Sequence, residues 1–182
     1  MKFIHHKLVF LLIDYQDTYT NDANVHRLFP SLRNNVETLL VDARSRFPPE
    51  NIVHIRSNYN LVFARNFKIL HPDKPLPVDI DSTSWARAKE YEKIIIKTSF
   101  DAFMNTELNE YLNKIGANKI IVCGLLTSVC VLFTAQSAFA RGYEVFLYEP
   151  GCADRDKNNH AAIIKIYDGY IFKRIQSTQL PA

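Results

Sequence analysis

The sequence predicts an α/β protein, a three-layer α/β/α sandwich around a mainly parallel, doubly wound sheet. Three observations predict it. Short, continuously apolar runs recur along the chain, as strands covered on both faces require. Amphipathic segments of helical period lie between them. Glycines stand where those segments should stop.

Taken in order, Leu8–Ile13 is an unbroken apolar strand. Pro30 suits the first turn of a helix in which Leu32, Val36, Leu39, Leu40 and Ala43 share one face. Residues 52–55 repeat the strand type. Residues 58–92 show no clean period and contain Pro72, Pro75 and Pro77. So long a loop in a compact domain is often functional, which makes a lid or specificity loop one reading and an irregular surface excursion the other. Residues 94–96 are a third strand. Thr106 can cap a helix carrying Leu108, Tyr111, Leu112 and Ile115, stopped by Gly116. A fourth strand at 120–123 leads to a stripe of Val131, Ala135, Ala138 and Phe139, ending near Gly142. A fifth strand at 145–148 precedes a stripe of Ala161, Ile164 and Tyr167, with Gly169 as its stop. Residues 170–172 form a sixth, edge strand. The alternation is Rossmann-like.

Composition narrows the classes of function. The chain has 182 residues, 22 Lys and Arg against 19 Asp and Glu, a net charge of +3 and 47% hydrophobic residues. That is too apolar for disorder, and one domain spanning 1–182 is the expectation. No uncharged stretch approaches the ~20 apolar residues that cross a bilayer, so no membrane association is expected. Basic residues are dispersed, the densest concentration being the pair Lys173 and Arg174. No RNP, zinc-finger or basic-zipper pattern is present, so no nucleic-acid partner is expected. Residues 1–7 lack the layout of a secretory signal, and the apolar run after them is short and ends in Asp14. Cys123, Cys130 and Cys152 are odd in number and without zinc-type spacing, which fits reduced thiols in a cytoplasmic protein.

Ligand sites in open α/β sheets lie at the carboxyl ends of the strands. There the first strand ends in Asp14, the third in Lys97, and the fourth leads to Cys130. An acid, an amine and a thiol therefore converge on one sheet edge. Cys130 opens the third helical stripe, where amide dipoles and a nearby ammonium favour thiolate. Each residue also has a plainer reading: Asp14 as a turn cap, Lys97 as a solvated strand end or ion pair, Cys130 as a small buried hydrophobe. Cys123 and Cys152 are read as structural. Arg56, Asn58 and Tyr59, beyond strand two, could meet a substrate carboxylate or carbonyl, with a solvated strand-end arginine as the plainer reading of Arg56. Trp85 and Phe63 could wall a pocket or simply pack.

Three segments carry a resemblance. Leu11-Leu12-Ile13-Asp14-Tyr15-Gln16-Asp17, Lys97-Thr98-Ser99-Phe100-Asp101-Ala102-Phe103 and Gly124-Leu125-Leu126-Thr127-Ser128-Val129-Cys130-Val131 resemble the isochorismatase-like cysteine hydrolases. So do Thr134, Ala135, Ala138, Gly142 and Tyr143, and the late Ala153, Asp154 and His160. The resemblance implies an Asp14–Lys97–Cys130 triad in which Cys130 attacks an amide-type carbonyl and forms a thioester. Asp14 would serve as general base and then acid, and Lys97 would hold Asp14 and balance the sulfur's charge. It also implies a cis peptide at Leu125–Leu126, with the backbone N–H groups of Leu126 and Cys130 as the oxyanion hole. The implied substrate is a small molecule with a non-peptide C–N bond, an amide, ureide or carbamoyl compound. No cofactor is required, and a homo-oligomer, dimer or larger, is implied.

The departures separate the branches of that family. Nicotinamidases in it carry Asp-x-His after strand two, which helps hold a metal. Here strand two continues Ile55-Arg56-Ser57-Asn58-Tyr59, so no metal site is expected, and His54 and His71 are read as structural or surface residues. Isochorismatases of siderophore pathways can lack the cysteine; its presence here favours covalent hydrolysis over enol-ether cleavage. The remaining alternatives are isochorismatase-type hydrolysis and a relict site in a binding or scaffold protein.

Overall fold

Among the described residues, five of the apolar runs and a short segment after the sixth form six strands of one sheet, all of them parallel. The computed structural model describes residues 8–59, 61–73, 76 and 81–177, with 61 and 62 described by backbone alone. The charged residues 1–7 and Pro75 and Pro77 lie outside the described residues. The strands are β1 (Leu8–Ile13), β2 (Ile52–Ser57), β3 (Lys93–Lys97), β4 (Lys119–Leu125), β5 (Glu144–Ala153) and β6 (Lys173–Ile175). Their order is β3-β2-β1-β4-β5-β6. The chain thus winds outward from β1 to β3, crosses back, and winds outward again from β4. The reversal between β1 and β4 is the switch point of a doubly wound sheet, where the strand ends leave a crevice. All six residues of β1 and of β2 are buried, which accounts for the absence of polar alternation in the first.

The helices are α1 (Asp17–Thr20), α2 (Ala23–Leu28), α3 (Leu32–Arg46), α4 (Leu61–Leu70), α5 (Leu108–Lys114), α6 (Leu132–Ala140) and α7 (Lys157–Tyr167). In α3 the five expected residues are the buried ones, but the helix begins at Leu32 and Pro30 lies in the turn before it. Thr106 accepts the Leu108 N–H, as a cap should. Gly116, Gly142 and Gly169 all have positive φ at the expected stops.

Four expectations need correction. The 58–92 segment is not wholly irregular, since α4 occupies part of it; Phe63 and Phe67 are spaced by one turn, but exposed Ile69 and Leu70 blur the apolar face. Residues 170–172 are a turn, not a strand. Gly169 N–H donates to Phe172 O and Phe172 N–H to Tyr167 O, so pairing with β5 begins at Lys173. Phe139, 52% exposed, leaves the α6 stripe. On α7 the inward residues are His160 and Ile164, while Ala161 is exposed.

Candidate active site

Three strand ends build one buried cluster. Asp14, first residue after β1, has φ 55° and donates its N–H to Ile55 O. This turns its carboxylate toward β2 and β3. Register places Ser57 beside Lys97 at the ends of those strands. Lys97 Nζ reaches Ser57 Oγ at 2.6 Å, Ser99 O at 3.0 Å and Cys130 Sγ at 3.3 Å. It also stands 2.9 Å from Asp14 Oδ2, and both side chains are sealed from solvent. The Ser57 hydroxyl donates to Asp14 Oδ1 at 2.9 Å, so it bridges acid and amine. Asp14 Oδ2 has no donor aligned on it among the described residues. Gln16 steadies Ser57 twice, accepting its N–H at 2.7 Å and donating to its carbonyl at 3.0 Å.

Cys130 sits in a π-helical turn, Thr127–Val131, between β4 and α6. Leu125–Leu126, immediately before it, is cis. Val129 and Val131 donate their N–H groups to Leu126 O, and Ser128 N–H donates to Asp154 Oδ2 at 2.8 Å. Burial works against the thiolate that a helix start and a nearby ammonium favour. Burial pushes the Cys130 thiol up to about 12, the Asp14 charge adds to that, and Lys97 opposes it without prevailing. Burial acts against the Lys97 ammonium, but the charges of Asp14 and Cys130 outweigh it and hold Lys97 protonated. These shifts favour an ammonium on Lys97 and a neutral thiol on Cys130.

Above Cys130 opens a cavity of about 560 Å³, within the size range of small-molecule sites. One wall is aromatic, formed by Tyr59, Phe67 and Phe100, with His71 at its edge. Tyr59 packs 4.5 Å from Phe63, and its hydroxyl accepts from Tyr19. Phe63 in turn meets Phe100 edge-on at 4.8 Å. Polar residues also line the cavity. There Arg155 Nε donates to Asp22 Oδ2 at 2.7 Å.

Of the residues expected to meet substrate, Tyr59 lines this cavity. Arg56 does not; its guanidinium bonds Ser82 and Asp81, because neighbours along a strand face opposite ways and Ser57 takes the side of the site. Trp85 packs 5.7 Å from Tyr15 and borders a separate depression beside Asp17 and Thr20. The sequence reading gave no role to Ser57, Gln16, Tyr19 or Arg155; Gln16 lies in the segment around Asp14, and the other three stand in no motif that carried the resemblance. His54 is structural, its Nε2 2.8 Å from Glu92 Oε2. Among the described residues no group of three or more His, Cys, Asp or Glu could hold a metal ion.

Comparisons with known proteins show the family and the fold. Residues 9–179 match the model of the isochorismatase domain. The isochorismatase family protein YddQ of Bacillus subtilis (strain 168) is 28% identical over 145 residues, covering 79% of this chain and 76% of that protein. Nicotinamidase 3 of Arabidopsis thaliana is 34% identical over 73 residues, covering 40% of this chain and 37% of that protein. N-carbamoylsarcosine amidase from Thermoplasma acidophilum superimposes with a TM-score of 0.78 at 16% identity, covering 97% of this chain and 99% of that one, a likeness of fold. With a family domain matched over nearly its whole length, the chain belongs to the isochorismatase family of hydrolases.

Proposed function

We propose that this hydrolase cleaves a non-peptide C–N bond of a small amide, ureide or carbamoyl compound through a thioester on Cys130. The observation that carries the reading is the cluster at the cavity floor. A thiol lies 3.3 Å from a buried ammonium, which also stands 2.9 Å from a carboxylate oxygen with no aligned donor among the described residues. The names of two matched proteins, a nicotinamidase and an N-carbamoylsarcosine amidase, support an amide-type bond.

In this reading Asp14 Oδ2 takes the thiol proton as Sγ forms a bond to the carbonyl carbon. The carbonyl electron pair moves to oxygen, where the N–H groups of Leu126 and Cys130 receive it. The intermediate collapses and the C–N bond breaks. The leaving nitrogen takes the proton from Asp14, and a thioester remains. Water, deprotonated by Asp14, then attacks the thioester; the sulfur departs and recovers its proton, releasing the acid. Lys97 stays charged throughout and offsets the sulfur's developing charge. A flat apolar part of the substrate would lie along Tyr59, Phe67 and Phe100. The carboxylate recognition expected of Arg56 is better suited to Arg155, a cation on the cavity wall. We also propose that the protein acts as a homo-oligomer, which light scattering checks.

A hydrolysis screen tests the function. Amides, ureides, carbamoyl compounds and isochorismate are offered to wild type and to Cys130→Ala, with ammonia and carboxylate release measured. Release of ammonia by wild type alone supports the reading. Cleavage of isochorismate undiminished by Cys130→Ala replaces it with enol-ether hydrolysis.

A further inference from the structure

At the first residue of the Cys130 turn begins a buried relay with no part in the steps above. Thr127, first residue of the turn, places its Oγ1 3.1 Å from Ala153 O and 2.8 Å from His160 Nδ1. The hydroxyl has one proton, and a carbonyl can only accept. Both contacts are hydrogen bonds only if Thr127 donates to Ala153 O and His160 Nδ1–H donates to Thr127 Oγ1. His160 comes from α7 and is 9% exposed; its ring packs edge-on to Phe29 at 5.0 Å. Its other nitrogen stands 3.6 Å from Glu149 Oε1, beside a second crevice bordered by Glu149, Lys157 and Gln176.

The relay acts on a short length of chain. Asp154 holds the N–H of Ser128, and His160 with Ala153 O holds the side chain of Thr127, so two successive residues are fixed to the end of β5 and to α7. Leu126 precedes them and Cys130 follows. These are the two residues whose N–H groups must point at one oxygen.

We propose that His160 is a positioning residue for the oxyanion turn, acting through the Thr127 hydroxyl. The proposal rests on the reading of Leu126 and Cys130 as oxyanion donors. A residue that merely supports the fold would affect every reaction of Cys130. A residue that aims the oxyanion donors affects only reactions that generate an oxyanion.

Two probes of Cys130 separate these roles. Acylation by p-nitrophenyl acetate passes through a tetrahedral oxyanion and releases p-nitrophenolate. Alkylation by iodoacetamide displaces iodide at a saturated carbon and makes none. His160→Phe keeps a ring against Phe29 but removes the donor; it should slow the acylation burst about 100-fold and leave alkylation unchanged. His160→Asn places an amide N–H near the position of Nδ1 and should recover most of the burst. Thr127→Val and Thr127→Ser repeat the contrast from the other partner and carry the test if His160→Phe does not fold. A burst unchanged in His160→Phe, or acylation and alkylation falling together, overturns the proposal. A burst that survives Cys130→Ala overturns the reading of Cys130 itself, so the two failures are distinguishable.

Discussion

Asp14 affects the sulfur in two opposed ways. Its charge helps hold the Cys130 proton in place at rest, and its unaligned oxygen is where that proton can go. Asp14→Asn separates the two effects. Without the carboxylate, Lys97 is left to favour thiolate, so iodoacetamide alkylation of Cys130 should rise about tenfold at fixed pH. Hydrolysis should fall about 10²- to 10⁴-fold for want of a base. Alkylation slower than in wild type would contradict this account of the resting thiol. At this scale the sequence showed the acid, amine and thiol, because each ends or follows an apolar strand. It did not show Ser57, whose role comes from its register opposite Lys97 and not from its residue type. Nor did it show how deeply the sulfur is buried.

The elements bring these residues together only because β1 and β4 approach closely. Gly124, with φ +144°, is paired with Ile13, and a Cβ built on it would lie 2.1 Å from Ile13 O. Gly124→Ala must push β4 away from β1 one residue before Leu125. It should cost about 3 kcal/mol or more, a fall in Tm of about 6–12 °C at this size. Calorimetry that finds no loss would refute the close approach. Strands 1 to 5 were legible from their apolar runs, although His54 interrupts the second and Ile94 and Ile96 of the third are partly exposed. α4 and β6 were less so: α4 has apolar residues on its exposed side, and β6 is three residues long with two exposed.

Across the whole molecule, a buried network ties the returning chain to the sheet and makes stability depend on pH. Glu92 accepts from His54, from Arg44 at 2.7 and 3.0 Å, and from the Lys89 N–H at 2.8 Å. Burial lowers the pKa of His54 below its ordinary 6.5, although Glu92 opposes the shift. Burial acts to raise the pKa of Glu92, but bonds from His54 and Arg44 outweigh it and bring it below its ordinary 4.5. Both groups bind protons more readily unfolded than folded. Their contribution is therefore complete above about pH 7; the His54 part is lost as acidity passes 6.5, the Glu92 part below 4.5. Tm should fall between about pH 7.5 and about pH 5.5, and His54→Gln should flatten that slope. An identical slope in the variant would exclude His54 as its source. Among the described residues no helix is long and apolar enough to cross a membrane. Where the second half of the 58–92 segment runs was not legible, since Arg56, Ser82 and Glu92 are held by partners distant in sequence.

The account depends on a covalent bond forming at one sulfur. Wild type mixed with an amide from the screen that it turns over, quenched in acid and analysed by peptide mass spectrometry, should show an acyl group on the peptide carrying Cys130. The adduct should be removed by hydroxylamine and be absent from Cys130→Ala, which should release no ammonia. Steady turnover with an unmodified Cys130, persisting in Cys130→Ala, would contradict the central claim.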